Sequence, residues 1–216
     1  MSTFSHLPVM LAETIDGLNI RPQGVYLDCT LGGGGHSSEI WKRLQGGTLI
    51  AVDKDKDALA HAKVRLGDGP VYIHSDFKKV IFSEEYTELD GILMDLGVSS
   101  YQLDTPERGF SYRYDARLDM RMDQESALTA EYVVNTYSEK QLTDVFFKYG
   151  EEPYAKKIAN CINRQRSVAP IRTTGELVSI IEKSVPPKVR YSGSHPFLCR
   201  NLRIPCHVLP TLICIL

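Results

Sequence analysis

The residues best suited to chemistry are carboxylates that recur at the ends of short apolar runs in the first hundred residues. Asp28 follows "VYL", Asp53 follows "TLIAV", Asp76 follows "VYIHS" and Asp95 follows "GILM". A run of four glycines, Gly32–Gly35, comes just after the first of these carboxylates. A glycine loop lets a ligand approach the backbone closely, and strand-end carboxylates suit a ligand with ribose hydroxyls or positive charge.

The apolar runs predict the elements that position these residues. The runs at 25–29, 48–53, 71–76 and 91–97 are rich in β-branched and aromatic residues, and helix-like segments separate them. This alternation predicts an α/β protein with a doubly wound parallel sheet of four strands. Because ligands of open α/β sheets bind at the carboxyl ends of the strands, we expect the carboxylates to share one crevice.

The glycine loop excludes some ligands by its own residues. A loop for nucleoside triphosphates ends in Gly-Lys-Ser/Thr, whereas this one ends in Gly35-His36-Ser37. The dinucleotide pattern GxGxxG is matched only by Gly32 and Gly34, and several carboxylates would repel a pyrophosphate. S-adenosylmethionine carries an ammonium and a sulfonium, and its single carboxylate suits the helix N-terminus after the glycines. The sequence therefore favours S-adenosylmethionine.

Each of these residues also has a purely structural interpretation. Asp53 either accepts ribose hydroxyls or caps the helix that begins in "DKDALA", and Phe77 either stacks on adenine or belongs to the core. His36 either contacts the ligand or only extends a helix N-terminus. Asp28 either contacts the ligand or orients the loop by accepting its backbone N–H groups.

The charge distribution differs between the two halves of the chain. Residues 1–100 hold 9 Lys and Arg against 14 Asp and Glu, while residues 101–216 hold 16 against 13. Within the second half, residues 148–203 hold 11 basic and 4 acidic residues. Such an excess indicates either a solvated basic face or a surface that binds a polyanion.

The second half also changes its pattern. The stretch from Val98 to about residue 125 is polar, aromatic and charged without a clear period, which predicts a long functional loop. Helical signals follow, with possible capping boxes at Ser138/Gln141 and Thr173/Glu176. The predicted domains are a methyl-donor-binding part at 1–125, a helical unit at 126–195 and a divergent tail at 196–216.

Composition narrows the class of protein. The 216 residues are 43% hydrophobic, which is enough for one substantial core. No apolar stretch approaches the roughly 20 residues of a membrane span, and the N-terminus does not have the pattern of a secretory signal. The five cysteines form no CxxC pair, which favours free thiols and no zinc site. We therefore expect a cytoplasmic protein without a membrane partner.

Four segments carry a resemblance to a known family. They are "HLPVMLAE" at 6–13, "LDCTLGGGGHS" at 27–37, "AVDKD" at 51–55 and, most specifically, "MDLGVSSYQLDTPERGFSYRYDARLDMRMD" at 94–123. The sequence resembles, from about residue 6 to about residue 196, the bacterial 16S ribosomal RNA cytosine-N4 methyltransferases (RsmH or MraW). The resemblance implies a Rossmann-like fold with an inserted all-helical domain. It also implies an enzyme that transfers a methyl group from S-adenosylmethionine to a cytosine N4 amine in the decoding centre.

The resemblance implies site residues as well. The cofactor contacts carried over from the family are Gly34, Gly35, His36, Asp53, Phe77, Asp95 and Gln102. Asp95 is also the candidate catalytic residue, because a carboxylate beside the N–H bonds of the target amine would localise and align its lone pair. The alternative is that Asp95 only binds the cofactor.

The partner implied is 16S ribosomal RNA in the small subunit, and not DNA. The basic helical unit at 126–195 is expected to recognise this RNA, with binding that weakens steeply as salt increases. Stacking faces and phosphate partners for that RNA are predicted at Arg108, Phe110, Arg113, Arg117 and Arg121. Some of these arginines have an alternative role, pairing with acidic residues of the same segment. At least one is expected to be structural in this way.

The sequence departs from the family at Tyr101, where proline is usual, and after about residue 196, where the pattern is lost. Family members add further strands beyond the helical insertion. Without them, the fourth strand is expected to have an unpaired edge and to promote homodimers or larger self-association. Two alternative functions stay open: a catalytically incompetent chain that retains cofactor or RNA binding, and a nicotinamide oxidoreductase based on the partial GxGxxG match.

Overall fold

The computed structural model describes residues 8–186. The chain divides into two compact units at residues 101 and 102, so the described parts of the units are 8–101 and 102–186. The domain limits predicted from sequence pattern (1–125, 126–195 and 196–216) stay a prediction, and the tail at 196–216 lies outside the described residues. None of the helices within 8–186 has the length and apolar content needed to cross a bilayer.

The first unit is built on a parallel sheet with the strand order β3-β2-β1-β4. Its strands are β1 (Val25–Asp28), β2 (Thr48–Asp53), β3 (Val71–His74) and β4 (Gly91–Leu93). Strand β1 pairs in parallel with both β2 and β4, which places Tyr26 opposite Leu49 on one side and Gly91 on the other. The sheet confirms the predicted α/β class, although β4 ends four residues before the predicted limit at Gly97.

Helices cover both faces of this sheet. They are α1 (Leu11–Leu18), α2 (Gly35–Arg43), α3 (Lys56–Leu66) and α4 (Phe77–Ile81). One core cluster consists of Ile15, Tyr26, Ile40, Leu49 and Leu93, and a second consists of Leu27, Cys29, Ile50, Val52 and Val80. Because successive side chains of a strand point to opposite faces, β1 contributes Tyr26 to the first cluster and Leu27 to the second. This two-sided burial explains why the strands are apolar almost throughout.

The caps of α3 and α4 settle one question about the acidic residues. Helix α3 is capped by Asp55, whose carboxylate accepts the Asp57 N–H at 3.1 Å. The alternative that Asp53 caps this helix is therefore wrong. Helix α4 is capped by Asp76, which accepts the Lys78 N–H at 2.9 Å and lies 3.2 Å from the Lys54 ammonium.

The second unit is mainly helical. After α5 (Ser100–Asp104), which spans the boundary between the units, it contains a 3₁₀ turn (Pro106–Arg108), α6 (Ala130–Thr136), α7 (Glu139–Lys148), α8 (Ala155–Arg166) and α9 (Thr174–Ser184). Both predicted capping boxes, at Ser138/Gln141 and Thr173/Glu176, are confirmed. Helix α8 packs against α6, α7 and α9. Tyr149, the residue that follows α7, is exposed.

Part of the segment predicted as a loop is extended backbone inside the second unit. Leu118 and Met120 are fully buried in it. The Leu118 N–H donates to the Arg172 carbonyl at 2.9 Å, and the Met120 N–H donates to the Arg108 carbonyl at 3.0 Å. These bonds tie the extended segment to the start of α9 and to the 3₁₀ turn, so it is held in place without belonging to a sheet.

Candidate functional site

The carboxyl end of the sheet brings together six of the seven predicted cofactor contacts. Gly34, Gly35 and His36 follow β1, Asp53 ends β2, Phe77 begins α4 after β3, and Asp95 lies two residues beyond β4. All of them belong to the first unit. The seventh residue, Gln102, belongs to the second unit and is buried there.

Asp53 links the glycine loop to the end of β2. One carboxylate oxygen accepts the Gly32 N–H at 2.8 Å, and the other accepts the Asp55 N–H at 2.9 Å. Burial raises the pKa of Asp53 by more than these N–H groups lower it. The Lys54 N–H also bonds to this carboxylate, so of its about four lone-pair sites about one stays open to a ligand hydroxyl.

Asp28 is a buried carboxylate that orients the loop. Its oxygens accept the Thr30 N–H at 3.0 Å and the Ser37 hydroxyl at 2.6 Å, and it is almost inaccessible to solvent. Burial raises the pKa of Asp28, although its hydrogen bond with Ser37 acts in the opposite direction. Of the two roles that the sequence left open, the contacts support orientation of the loop. Thr30 also accepts the Asp95 N–H through its hydroxyl oxygen at 2.7 Å.

Replacing Asp28 with Asn is expected to raise the melting temperature near neutral pH by a few degrees. The amide still accepts from Thr30 and can donate to the Ser37 hydroxyl, while the buried charge is removed. Since the folded pKa is raised above the usual 3.8, the folded state binds the proton more tightly. Wild-type stability attributable to Asp28 is therefore highest in acid and falls as pH rises through that raised pKa.

Thermal melts of the wild type and the Asp28→Asn variant between pH 4 and pH 8 check this expectation. The advantage of the variant should widen as pH rises. Two results would contradict it: a variant that melts below the wild type near neutral pH, or a difference in melting temperature that is the same at every pH.

The start of α2 has the features of an anion site. Gly34 is the N-cap residue of α2 and has φ 73°, and a Cβ at this position would lie 3.2 Å from the Ala62 Cβ, so glycine is favoured on two grounds. No side chain caps the helix. The first N–H groups of α2, together with the helix dipole, can therefore bind a ligand carboxylate.

The N-terminal segment lies against this helix start. Pro8 packs so closely on Gly35 that no Cβ would fit between them. The ring of His36 is buried, with Nε2 3.2 Å from the Val9 carbonyl oxygen and Nδ1 4.0 Å from an Asp95 carboxylate oxygen. Sequence reasoning missed Pro8 and Val9. A ligand bound at this helix start would share it with them.

For Phe77 and for Asp95, the structure is compatible with both of the roles predicted from the sequence. Phe77 packs against the second core cluster and is partly buried, which is compatible with a core contact and with a ligand contact. The Asp95 side chain is 50% exposed.

Burial raises the pKa of the Cys29 thiol to about 11, so this cysteine is protonated at neutral pH and is no nucleophile. Within residues 8–186, no three His, Cys, Asp or Glu side chains are grouped so as to hold a metal ion.

Two of the predicted RNA-contacting residues are buried. Arg108 and Phe110 are 6% and 4% exposed. The Arg108 guanidinium donates to the carbonyl oxygens of Arg121 at 2.9 Å and Met122 at 3.1 Å, and it lies 5.7 Å from the centroid of the Phe110 ring. In this arrangement both side chains support the fold rather than a binding surface, and a direct contact with RNA stays a prediction.

Arg121 is also engaged within the protein. Its guanidinium makes a bidentate pair with Asp119 at 2.8 Å and 2.7 Å, and it donates to the carbonyl oxygens of Gln124 and Ser126, both at 2.8 Å. The expectation that at least one arginine of this segment is structural is confirmed. Arg113 and Arg117 differ, because their side chains are 67% and 69% exposed and their ion pairs with described residues lie at the surface.

Comparison with known proteins supplies the family. Residues 3–204 match the profile of the MraW methylase family, which is nearly the whole chain. Among solved structures, one similar chain is from a crystal structure of a Clostridium thermocellum protein proposed to be an rRNA methylase. It has a TM-score of 0.37 and 15% sequence identity over 44% of this chain and 54% of that one. The present chain thus spans about half the length of that protein. On the match over residues 3–204, the chain belongs to the MraW methylase family.

Proposed function

We propose that this protein transfers the methyl group of S-adenosylmethionine to the N4 amine of a cytosine in the decoding centre of 16S ribosomal RNA. Membership in a methylase family supports the reaction type. The observation that carries the choice of donor is the pairing of a hydrogen-bond-accepting carboxylate, Asp53, with an uncapped helix start at Gly34. These two features suit the ribose hydroxyls and the carboxylate of the donor.

The residues of the first unit fit this donor. Asp53 retains about one lone-pair site for a ribose hydroxyl, and the first N–H groups of α2 suit the donor carboxylate. Phe77, which is partly buried, is the candidate for stacking on adenine. A contact through Gln102 belongs to the proposal on the strength of the family resemblance alone. When bound, S-adenosylmethionine supplies an electrophilic methyl group on its sulfonium.

Asp95 is the proposed positioning group for the target amine. The N4 lone pair of cytosine is delocalised into the ring, so the amine is a poor nucleophile. A half-exposed carboxylate beyond β4 can accept its N–H bonds, localise the lone pair and direct it toward the methyl group. Because the Asp95 N–H is bonded to the Thr30 hydroxyl, the backbone at Asp95 is tied to the loop after β1.

A calorimetric titration of the chain with S-adenosylmethionine, with NAD as the comparison ligand, tests the donor. We expect binding in the micromolar range for S-adenosylmethionine alone. Binding of NAD alone would favour an oxidoreductase and overturn the proposal. A folded sample that binds neither ligand would reject the cofactor site in this chain.

Replacing Asp95 with Asn tests the positioning role. The amide is a weaker acceptor, so we expect methyl transfer to small ribosomal subunits to fall by roughly 100-fold with the cofactor Kd changed only a few-fold. Incorporation of tritium from labelled S-adenosylmethionine measures the rate. Asp68→Asn makes the same chemical change at an exposed surface position and is the matched control. A weakened Kd would instead assign Asp95 to cofactor binding, and unchanged rate and Kd would exclude both roles.

A second proposal concerns partners: we infer that the outer side of β4 pairs with a second copy of the chain. Among residues 8–186, no strand pairs with that side of β4. Ile92 in β4, and Met94 and Leu96 just after it, are large apolar residues that are exposed. An apolar strand edge promotes pairing with another chain.

Light scattering should therefore detect concentration-dependent dimers or larger species. Ile92→Lys should weaken the association at least about tenfold, because lysine on an edge strand opposes pairing. Val64→Lys, at an exposed apolar position on α3, should leave it unchanged. A monodisperse wild-type monomer at every concentration would refute the proposal.

A further inference from the structure

Helix α8 stands out by its charge. It contains Lys156, Lys157, Arg164 and Arg166 and no acidic residue. Arg166 is partly buried and donates to the Val134 carbonyl and to Asn163. The other three cations are exposed.

The exposed cations lie on one side of the helix. Lys156, Asn160 and Arg164 are spaced four residues apart, so they form a line along the helix axis, and Lys157 lies beside it. We call these four residues the α8 stripe. From Lys156 to Arg164 the helix rises about 12 Å, a length over which a nucleic-acid strand presents several phosphates.

The surroundings leave these charges available. Within residues 8–186, no carboxylate forms an ion pair with Lys156, Lys157 or Arg164. An acidic group, Glu139, lies beside the stripe and accepts a hydrogen bond from Asn160 at 3.2 Å. A shallow depression lies along the stripe and is lined by Glu139, Pro153, Tyr154, Lys156, Lys157 and Asn160.

The opposite face of α8 shows what kind of partner fits. Ile158, Ala159 and Ile162 are fully buried against the neighbouring helices. The helix therefore has no apolar face left for insertion into a lipid surface, which a membrane-binding amphipathic helix requires. A line of cations without exposed apolar residues is complementary to a phosphate backbone.

We infer that the α8 stripe binds the sugar-phosphate backbone of the RNA substrate. The inference rests on the proposed function, and it narrows the RNA contact expected of the basic helical unit to four named residues of α8. It is consistent with the engagement of Arg108 and Arg121 inside the second unit. Phosphate contacts of this kind position an RNA without reading its sequence.

The test compares two triple variants of equal charge change. One removes the cations of the stripe (Lys156→Gln, Lys157→Gln, Arg164→Gln). The control removes three exposed lysines of α7 and α9 (Lys140→Gln, Lys148→Gln, Lys183→Gln). The probe is a fluorescein-labelled RNA stem-loop with a cytosine in its loop, and binding is followed by anisotropy over a range of KCl concentrations.

We expect the stripe variant to bind the stem-loop roughly 10- to 100-fold more weakly at about 0.1 M salt. Its slope of log K against log salt should be smaller by about two to three, one for each lost phosphate contact. The control variant should stay within about threefold of the wild type. Thermal melts and the S-adenosylmethionine titration verify that both variants are folded.

The outcomes separate this inference from the proposed function. Equal losses in the two variants, or no loss in the stripe variant, would overturn the inference and leave cofactor binding and methyl transfer standing. A wild type that binds anionic vesicles but not the stem-loop would overturn both the inference and the RNA substrate. A chain that binds the stem-loop through the stripe but does not bind S-adenosylmethionine would overturn the proposed reaction alone.

Discussion

Asp53→Asn should weaken S-adenosylmethionine binding by roughly 30- to 1,000-fold, the equivalent of losing one or two charge-assisted hydrogen bonds. In the wild type the carboxylate accepts the Gly32 N–H at 2.8 Å and the Asp55 N–H at 2.9 Å. Asparagine has one acceptor oxygen, and its NH₂ group would face one of these two donors. The variant therefore loses both a link between the glycine loop and β2 and an acceptor for the ribose hydroxyls.

Calorimetry measures this loss, with Asp68→Asn as the control for the removal of one negative charge from the first unit. Asp68 is exposed and pairs only at the surface, with Lys63 at 3.1 Å. The pH dependence gives a second readout. Because burial raises the pKa of Asp53, the wild-type affinity should fall on acidification as the carboxylate is protonated, whereas the variant should respond less. An Asp53→Asn protein that binds within threefold of the wild type would contradict the assigned role.

The strands of the first unit could be predicted because their determinants are local. Each is a short, largely apolar run with a carboxylate at its end or two residues beyond it, and the resulting order β3-β2-β1-β4 agrees with the expected doubly wound sheet. The limits of β4 could not be predicted in this way. The run "GILMDLG" is apolar to its end, but the ladder with β1 stops at Leu93, and Met94 and Leu96 are exposed.

The positions of the site residues were predictable, but their roles were not. Asp28 and Asp53 are both strand-end carboxylates, and sequence alone does not distinguish them. They differ because Ser37, on the first turn of α2, donates to Asp28 and leaves it buried. The approach of Pro8 to Gly35 depends on residues far apart in sequence and has no periodic signal.

The segment around residue 118 shows a signal that was present but not used. Arg117-Leu118-Asp119-Met120-Arg121 alternates charged and apolar residues with a period of two, which indicates an extended segment with one buried side. Leu118 and Met120 are indeed fully buried. Within residues 8–186 its pairing is limited to one antiparallel bridge, between Arg117 and Thr173, so the alternation predicts burial but not a strand of a sheet. Whether an arginine of this segment is structural or exposed is therefore seen from its contacts in the structure.

Replacing Arg121 with Ala tests, through the stability of the protein, the assignment of this arginine as structural. We expect the variant to unfold about 3 kcal/mol more easily, which corresponds to a melting temperature lower by about 6 to 12 °C. The substitution removes a bidentate pair and leaves the Asp119 carboxylate without its guanidinium, and the carbonyls of Gln124 and Ser126 lose a shared donor. The cost is placed at the lower end for a broken ion pair because both side chains are partly exposed.

Arg113→Ala is the matched comparison, because the same chemical change is made in the same segment at a largely exposed side chain. Its ion pair with Asp104 is long, at 3.9 Å, so the melting temperature should change by no more than about 1 °C. Thermal melts and anisotropy with the labelled stem-loop, carried out on both variants, then separate a structural arginine from a surface one. If Arg121→Ala keeps the wild-type melting temperature and loses RNA binding, its guanidinium acts on the RNA and the structural assignment is wrong. If it melts early while Arg113→Ala does not, the charge of Arg121 serves mainly to hold this segment in place, and the exposed cations of the second unit, those of the α8 stripe among them, are the candidates for the contact with RNA.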